Sequence, residues 1–174
     1  MPAGVAATKT GDGFDASVDC GPMINAGAID TISGLVDAAV AEGATVETGG
    51  SSVGGSGHFF APTVLANVSP TAAITTEEVF GPVAPVIPFT DHDEMIAHAN
   101  NTEMGLAAYV FTEDLSKGLA TAERIEAGMV GVNRGAMSDP AAPFGGMKQS
   151  GLGREGASEG IYEFCETQYI AASW

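Results

Sequence analysis

The chain is poor in basic residues: six Lys plus Arg stand against 22 Asp plus Glu in 174 residues, and the formal net charge is −16. A field of that sign repels nucleic-acid phosphates and anionic lipid headgroups, so we expect no nucleic-acid partner and no binding to a membrane surface. No apolar run approaches the roughly 20 residues that a membrane span requires. The first fifteen residues lack a basic region followed by a long apolar core, so we expect a cytoplasmic protein without a secretory signal.

Cysteine and histidine are also scarce. Cys20 and Cys165 are far apart and belong to no CxxC pair, so neither a disulfide framework nor a zinc site is indicated. His92 and His98 are six residues apart, a spacing that does not put two ligands on one face of a helix, and His58 lies in a glycine-rich turn. We therefore expect no metal site, two inert thiols and three surface histidines.

Hydrophobic residues make up 45% of the chain, which is enough to bury a core. Apolar residues between Ile29 and Val40 recur at helical spacing, and Gly43 supplies a stop. The segments TVET, FFAPTVLANV and VAPVIPF are typical of strands, the last two with prolines that favour an edge or a bulge. Asp91 and Glu94 predict a capping box for a short helix that runs through Asn100.

The middle of the chain carries the most regular pattern. LAAYVF and MVGVN are candidate buried strands, and the segment DLSKGLATAERIEA between them is helical, capped by Asp114 and closed by Gly128. Strand, helix and strand with short joins form a βαβ unit, which implies parallel strands and a right-handed crossover. Together these elements predict an α/β domain in which helices cover a mostly parallel sheet. A short helical turn near REGASEG and a terminal strand, FCETQYIAA, complete the prediction.

After Asn133 about twenty residues lose periodicity, and so long a loop inside a compact domain is usually functional. Its last residues begin GLGREG, Gly151 to Gly156, which matches the dinucleotide-binding pattern G-x-G-x-x-G. A Rossmann site needs a hydrophobic strand before this pattern and a long helix after it, whereas MKQS precedes it and Gly156 and Gly160 weaken any helix that follows. We expect these glycines to permit positive φ angles or a close backbone approach instead.

Glu77 and Glu78 precede a Phe-Gly-Pro turn in TTEEVFGPVAPV. Two interpretations of this pair stay open on chemistry alone. The acids form an ordinary strand entry, or one carboxylate accepts hydrogen bonds from a ligand hydroxyl while Phe80 packs beside it.

Several segments resemble the aldehyde dehydrogenase superfamily in the family's own order. EEVFGPVAPV and APFGGMKQSGLGREG carry most of the resemblance, and DCGPMINAGAID, NNTEMGLAAYVFTED, AGMVGVN and ETQYI extend it over nearly the whole chain. The segment SDPAAPFGGMKQSGLGREG is most similar to succinate-semialdehyde dehydrogenases.

The resemblance implies the fold of the C-terminal part of the aldehyde dehydrogenase catalytic domain, a parallel sheet flanked by helices, plus a terminal oligomerisation strand. Residues 1–155 would belong to the catalytic α/β domain and residues 156–174 to the terminal helix turn and oligomerisation strand. The family's catalytic cysteine, its general-base glutamate and its nucleotide-binding domain are expected upstream of the position that matches Met1. Neither Cys20 nor Cys165 matches the nucleophile, so the chain is expected to contain no catalytic residue.

Four positions match functional residues of the family. Glu78 matches the acid that holds the nicotinamide ribose hydroxyls, and Phe80 matches the aromatic beside the nicotinamide. Ser138 falls where semialdehyde-specific members hold the distal carboxylate of the substrate, and Phe144 matches an aromatic wall of the aldehyde pocket. The arginine that partners this serine in the family is expected upstream, and Arg134 does not match it.

The resemblance implies oxidation of an aldehyde, most specifically succinate semialdehyde, to the carboxylate with NAD or NADP. In that chemistry a cysteine thiolate forms a thiohemiacetal, hydride passes to the cofactor and water hydrolyses the thioester. As a fragment, the chain alone is expected to be inactive, with a second copy or a complementing N-terminal chain as its partner. The alternative is a non-catalytic interaction or oligomerisation module derived from such an enzyme.

Overall fold

The computed structural model describes residues 2–174 and shows two compact units, the first ending at Thr90 and the second spanning Asp91–Trp174. Each unit has its own helices and strands, and each is described by itself. The predicted division into residues 1–155 and 156–174 stays a prediction. Within residues 2–174, no helix is both long enough and apolar enough to span a bilayer.

The first unit is built around one long helix. It contains α1 (Pro2–Ala6), α2 (Ala26–Ala41), β1 (Thr45–Thr48), β2 (Thr63–Ala66), a 3-10 turn at Ala73–Thr75 and β3 (Val83–Pro85). The Asn25 side chain caps α2 by accepting from the Ala28 N–H at 2.9 Å, and Gly43 ends it with a φ of +108°. Both the helix and the TVET strand were predicted from the sequence.

The core of this unit lies between α2 and the sheet. Ile32, Leu35 and Val36 of α2 pack in one buried cluster with Phe60 and with Leu65 of β2. Each fully buried aliphatic or aromatic side chain of this kind contributes about 1.5–3 kcal/mol relative to an exposed one. The sheet order is β1-β2-β3, with β1 antiparallel and β3 parallel to β2.

The second unit contains the predicted βαβ arrangement. Its elements are α3 (His92–Asn100), β4 (Met104–Gly105), β5 (Ala107–Val110), α4 (Leu115–Ala122), β6 (Met129–Val132), β7 (Met147–Lys148) and a 3-10 helix at Glu159–Phe164. Strands β5 and β6 are parallel, as predicted, and Asp91 and Asp114 cap α3 and α4 through their side chains.

Three details of the prediction are corrected. Within residues 2–174 the strands form three small sheets and not one mostly parallel sheet. The sheet β1-β2-β3 contains both directions, the pair β4-β7 is antiparallel, and the pair β5-β6 is parallel. Helix α4 ends at Ala122, six residues before Gly128. Strand β5 alternates exposed and half-buried residues and is not buried, with Tyr109 49% exposed.

The predicted terminal strand is not formed within residues 2–174. Residues 165–174 are exposed and form no strand or helix in the structure. A strand needs a neighbour for its N–H and C=O groups, and no segment within residues 2–174 pairs with this one. Its role in oligomerisation stays a prediction.

Candidate functional site

Glu78 follows a turn that is anchored in the core of the first unit. Ile74 in the 3-10 turn is only 3% exposed, and the Glu77 N–H donates to the Ala73 carbonyl at 2.9 Å. Glu78 comes directly after this anchored turn and is itself exposed. Its carboxylate makes no hydrogen bond to any residue among 2–174, so both oxygens are free to accept from a ligand.

Phe80 lies two residues further on, with its ring in solvent. Val79 between the two packs against the core of the first unit, whereas Phe80 is 77% exposed. The φ of Phe80 is +42°, a left-handed conformation that is uncommon for a bulky side chain and is held only when the surroundings enforce it. An unpartnered carboxylate and an exposed aromatic ring are the two groups that suit a ribose diol and a flat nicotinamide ring.

Ser138 lies in the loop that follows β6 in the second unit. It is exposed and belongs to no helix or strand. The next residue, Asp139, organises a turn by accepting from the Ala141 N–H through its side chain at 2.9 Å and from the Ala142 N–H through its carbonyl at 3.0 Å. The Pro140 carbonyl accepts from the Ala157 N–H at 3.1 Å, which fixes the loop to the segment after the glycines.

Phe144 is half-buried and lines an open groove of about 920 Å³ within the second unit. Its backbone N–H and C=O both bond to Glu155, at 2.8 Å in each direction. The apolar residues of the groove wall include Leu106, Phe144, Leu152, Ile161 and Phe164. Ser138 does not line this groove, so the structure does not bring the two predicted substrate residues into one cavity.

The glycines of GLGREG take left-handed conformations, as predicted. The φ angles of Gly151, Gly153 and Gly156 are +110°, +82° and +73°, which residues with a Cβ rarely adopt. Only the two-residue strand β7 comes before the loop, and the helical turn after it begins at Glu159. This is not the strand–loop–helix arrangement of a Rossmann phosphate site.

Two basic residues next to these glycines were missed from the sequence. The Arg154 guanidinium donates from Nη1 to the carbonyls of Gly146 and Gly153, at 2.8 and 2.7 Å. Lys148 donates from Nζ to the carbonyls of Asn100 and Thr102. One feature of the sequence could have pointed to them. The chain has only six Lys plus Arg residues, and two of these lie in or near one glycine loop.

The remaining polar candidates form no constellation. Cys20 is half-buried, Cys165 is exposed and both thiols are free. Among residues 2–174 no group of three or more His, Cys, Asp and Glu side chains is arranged to hold a metal ion. His92 bonds through Nε2 to the Thr121 hydroxyl at 3.1 Å, a contact between α3 and α4.

The chain belongs to the aldehyde dehydrogenase family, because the profile of that family matches residues 1–170. The fold is accordingly the α/β fold of that family, with helices and mixed sheets.

Relatives that are similar to the chain include proteins named succinate-semialdehyde dehydrogenase. A succinate-semialdehyde dehydrogenase of Paenarthrobacter nicotinovorans is 55% identical over 168 residues, which is 97% of this chain and 37% of that protein. A probable NADP(+) succinate-semialdehyde dehydrogenase of Sinorhizobium fredii is 48% identical over 93% of this chain and 33% of its own length. The crystal structure of succinate-semialdehyde dehydrogenase from Burkholderia pseudomallei superposes with a TM-score of 0.89 at 43% identity, covering 94% of this chain and 34% of that one. The chain thus spans about a third of the length of these relatives.

Proposed function

We propose that the chain is the C-terminal part of an NAD(P)-dependent aldehyde dehydrogenase whose substrate is succinate semialdehyde. The observation that carries this proposal is the 55% identity over 97% of the chain to a protein named succinate-semialdehyde dehydrogenase. The motif segments that resemble that family agree with it, and the choice between NAD and NADP stays open.

The residues of the chain would have distinct tasks in such an enzyme. The Glu78 carboxylate would accept hydrogen bonds from the ribose hydroxyls of the cofactor, a charge-assisted contact, while Phe80 lies beside the nicotinamide. The Ser138 hydroxyl would donate to the distal carboxylate of the substrate, and Phe144 would pack on its methylene groups. A bound nicotinamide cofactor supplies the hydride acceptor.

A polypeptide of these 174 residues would not oxidise aldehydes by itself. Cys20 and Cys165 lie outside the family's nucleophile motif, and their thiols bond to the carbonyls of Gly21 and Ile161 and to no base within residues 2–174. The chain would therefore contribute the cofactor and substrate contacts, while another segment contributes the attack on the aldehyde.

A chimera tests this proposal directly. This chain replaces the corresponding third of the Paenarthrobacter relative, and oxidation of succinate semialdehyde is followed by the formation of NADH or NADPH. We expect activity in the chimera and none in the 174-residue chain. A folded, inactive chimera would refute the assigned function, and robust oxidation by the chain alone would refute its dependence on another segment.

A second candidate function is a non-catalytic interaction module. The observation that favours it is the exposed terminal segment, residues 165–174, in which Tyr169 and Ile170 are 88% and 76% exposed and Trp174 is fully exposed. Apolar side chains on an unpaired backbone are suited to pairing with another chain. Light scattering tests this candidate, because a strictly monomeric chain at micromolar concentration would contradict the module.

A further inference from the structure

The Lys148 ammonium is engaged entirely inside the second unit. It donates to the Asn100 carbonyl at 2.8 Å and to the Thr102 carbonyl at 3.2 Å, and it pairs with the Glu126 carboxylate at 2.7 Å. These three acceptors match the three N–H donors of an ammonium group, and the side chain is only 24% exposed.

Asn100 closes the network around this cation. It is the last residue of α3, where a cation is favoured by the helix dipole. Its side chain donates to the Arg124 carbonyl at 2.8 Å and accepts from the Glu126 N–H at 2.9 Å. The network therefore joins the end of α3, the connection between α4 and β6, and strand β7.

The backbone of Lys148 is held in an unfavourable conformation at this point. Its φ is +54°, in the left-handed region that side chains other than glycine and asparagine rarely adopt. Neighbouring bonds fix the same stretch, since the Gly105 N–H donates to the Ser150 hydroxyl at 2.8 Å and the Gln149 N–H donates to the Glu103 carbonyl at 2.9 Å. Strain of this kind persists where the surroundings enforce it, and it is concentrated at functional sites.

Arg154 holds the other end of the same loop. Its guanidinium bonds to the carbonyls of Gly146 and Gly153, so it links the residues just after Phe144 to the glycine turn. Gly128 completes the support, because a Cβ atom there would collide with the Gly145 carbonyl, so the two backbones are in direct contact. The backbone next to Phe144 is therefore fixed by Glu155, Arg154 and Gly128 together.

We propose that Lys148 and Arg154 are positioning residues that hold residues 144–156 in place, so that Phe144 keeps a constant position in the wall of the aldehyde pocket. The inference rests on the proposed function, under which Phe144 contacts the aldehyde. Lys148 itself acts through the loop and not through contact with the substrate. Substitution of Lys148 should therefore change the affinity for the substrate more than the rate of the chemical step.

Hydrogen exchange on the 174-residue chain tests the positioning without any enzymatic activity. Lys148→Met should raise the exchange rates of the Phe144 and Glu155 amides about tenfold, because it removes bonds from a charged donor. Lys117→Met is the matched control, since Lys117 is an exposed lysine of the same unit with no ion pair within residues 2–174. Unchanged exchange rates of both amides in Lys148→Met would overturn the proposal. An equal increase of these rates in Lys117→Met would overturn it as well.

Kinetics of the chimera test the functional consequence. Lys148→Met should raise the KM for succinate semialdehyde about tenfold while kcat stays within about threefold. Lys148→Arg should recover most of the loss, because it keeps the charge, and it carries the test if the methionine variant fails to fold. Arg154→Gln should show the same selective rise in KM.

The hydrogen-exchange and kinetic experiments distinguish an error in this inference from an error in the proposed function. An unchanged KM in Lys148→Met, or equal losses in KM and kcat, would contradict the positioning role. An inactive parent chimera would instead contradict the proposed function, and the exchange measurement would still decide whether Lys148 fixes the loop.

Discussion

The side chain of Asn133 forms two hydrogen bonds with the backbone of Thr112. Its Oδ1 accepts from the Thr112 N–H at 2.9 Å, and its Nδ2 donates to the Thr112 carbonyl at 2.8 Å. The amide thus extends the pairing of β5 and β6 beyond their last paired residues, Val110 and Val132. Asn133 has a φ of +53°, which asparagine tolerates, and there the chain leaves the strand toward Ser138.

Asn133→Asp should destabilise the second unit by about 1 kcal/mol, because it removes the donor to Thr112 and keeps the shape of the side chain. Urea unfolding, followed at resonances of the unit that carries each substitution, measures the change. Asn67→Asp is the control, since Asn67 has a similar φ of +54° and no side-chain hydrogen bond in the part of the chain that the structure describes. Equal effects at both positions would show that the bonds to Thr112 contribute nothing to the free energy of unfolding of the second unit.

Gly153→Ala should destabilise the second unit by about 1–2 kcal/mol, because an L-residue is strained at the φ of +82°. The added Cβ would also lie 2.7 Å from a carboxylate oxygen of Glu163. Gly135→Ala in the same loop region meets no atom within 4 Å and has an ordinary φ, so it should be neutral or slightly stabilising. Thermal unfolding of the two variants, compared in one buffer, checks the difference.

Glu78→Gln in the chimera should raise the KM for NAD(P)+ about tenfold, because a neutral amide accepts more weakly from a diol than a carboxylate does. The adjacent Glu77→Gln removes the same charge and should change this KM by less than about twofold. The KM for the aldehyde should be affected little in either variant. A larger effect at Glu77 than at Glu78 would show that Glu77, and not Glu78, contacts the cofactor.

Ser138→Ala in the chimera should raise the KM for succinate semialdehyde about tenfold and leave the KM for propanal unchanged, since propanal has no distal carboxylate. Ser116→Ala, on the exposed surface of α4, serves as the control. Steady-state kinetics with the two aldehydes give the ratio directly. A parallel rise for both substrates would indicate a general disturbance of the loop and not recognition of the carboxylate.

Local sequence signals predicted the elements whose determinants lie within a few residues. The caps at Asp91 and Asp114, the helix stop at Gly43 and the parallel pair β5 and β6 follow from short-range patterns, and all are present. The family was recognised in the same way, from motifs that are continuous in the chain.

The end of α4 shows what such patterns miss. The sequence remains helical in character up to Gly128, yet the helix stops at Ala122. The Asn100 side chain bonds to the Arg124 carbonyl and to the Glu126 N–H, two backbone groups that a longer helix would use itself. Asn100 is 24 and 26 residues away from these partners, so periodicity carries no sign of the competition.

The sequence by itself determined the family, the local elements and the left-handed glycines of the loop, because these depend on residue type and short spacing. Tertiary structure alone decided that Lys148 turns onto backbone carbonyls, since its Asn100 acceptor lies 48 residues away. It also decided that FCETQYIAA forms no strand within the chain, since an extended sequence becomes a strand only when another backbone satisfies its hydrogen bonds.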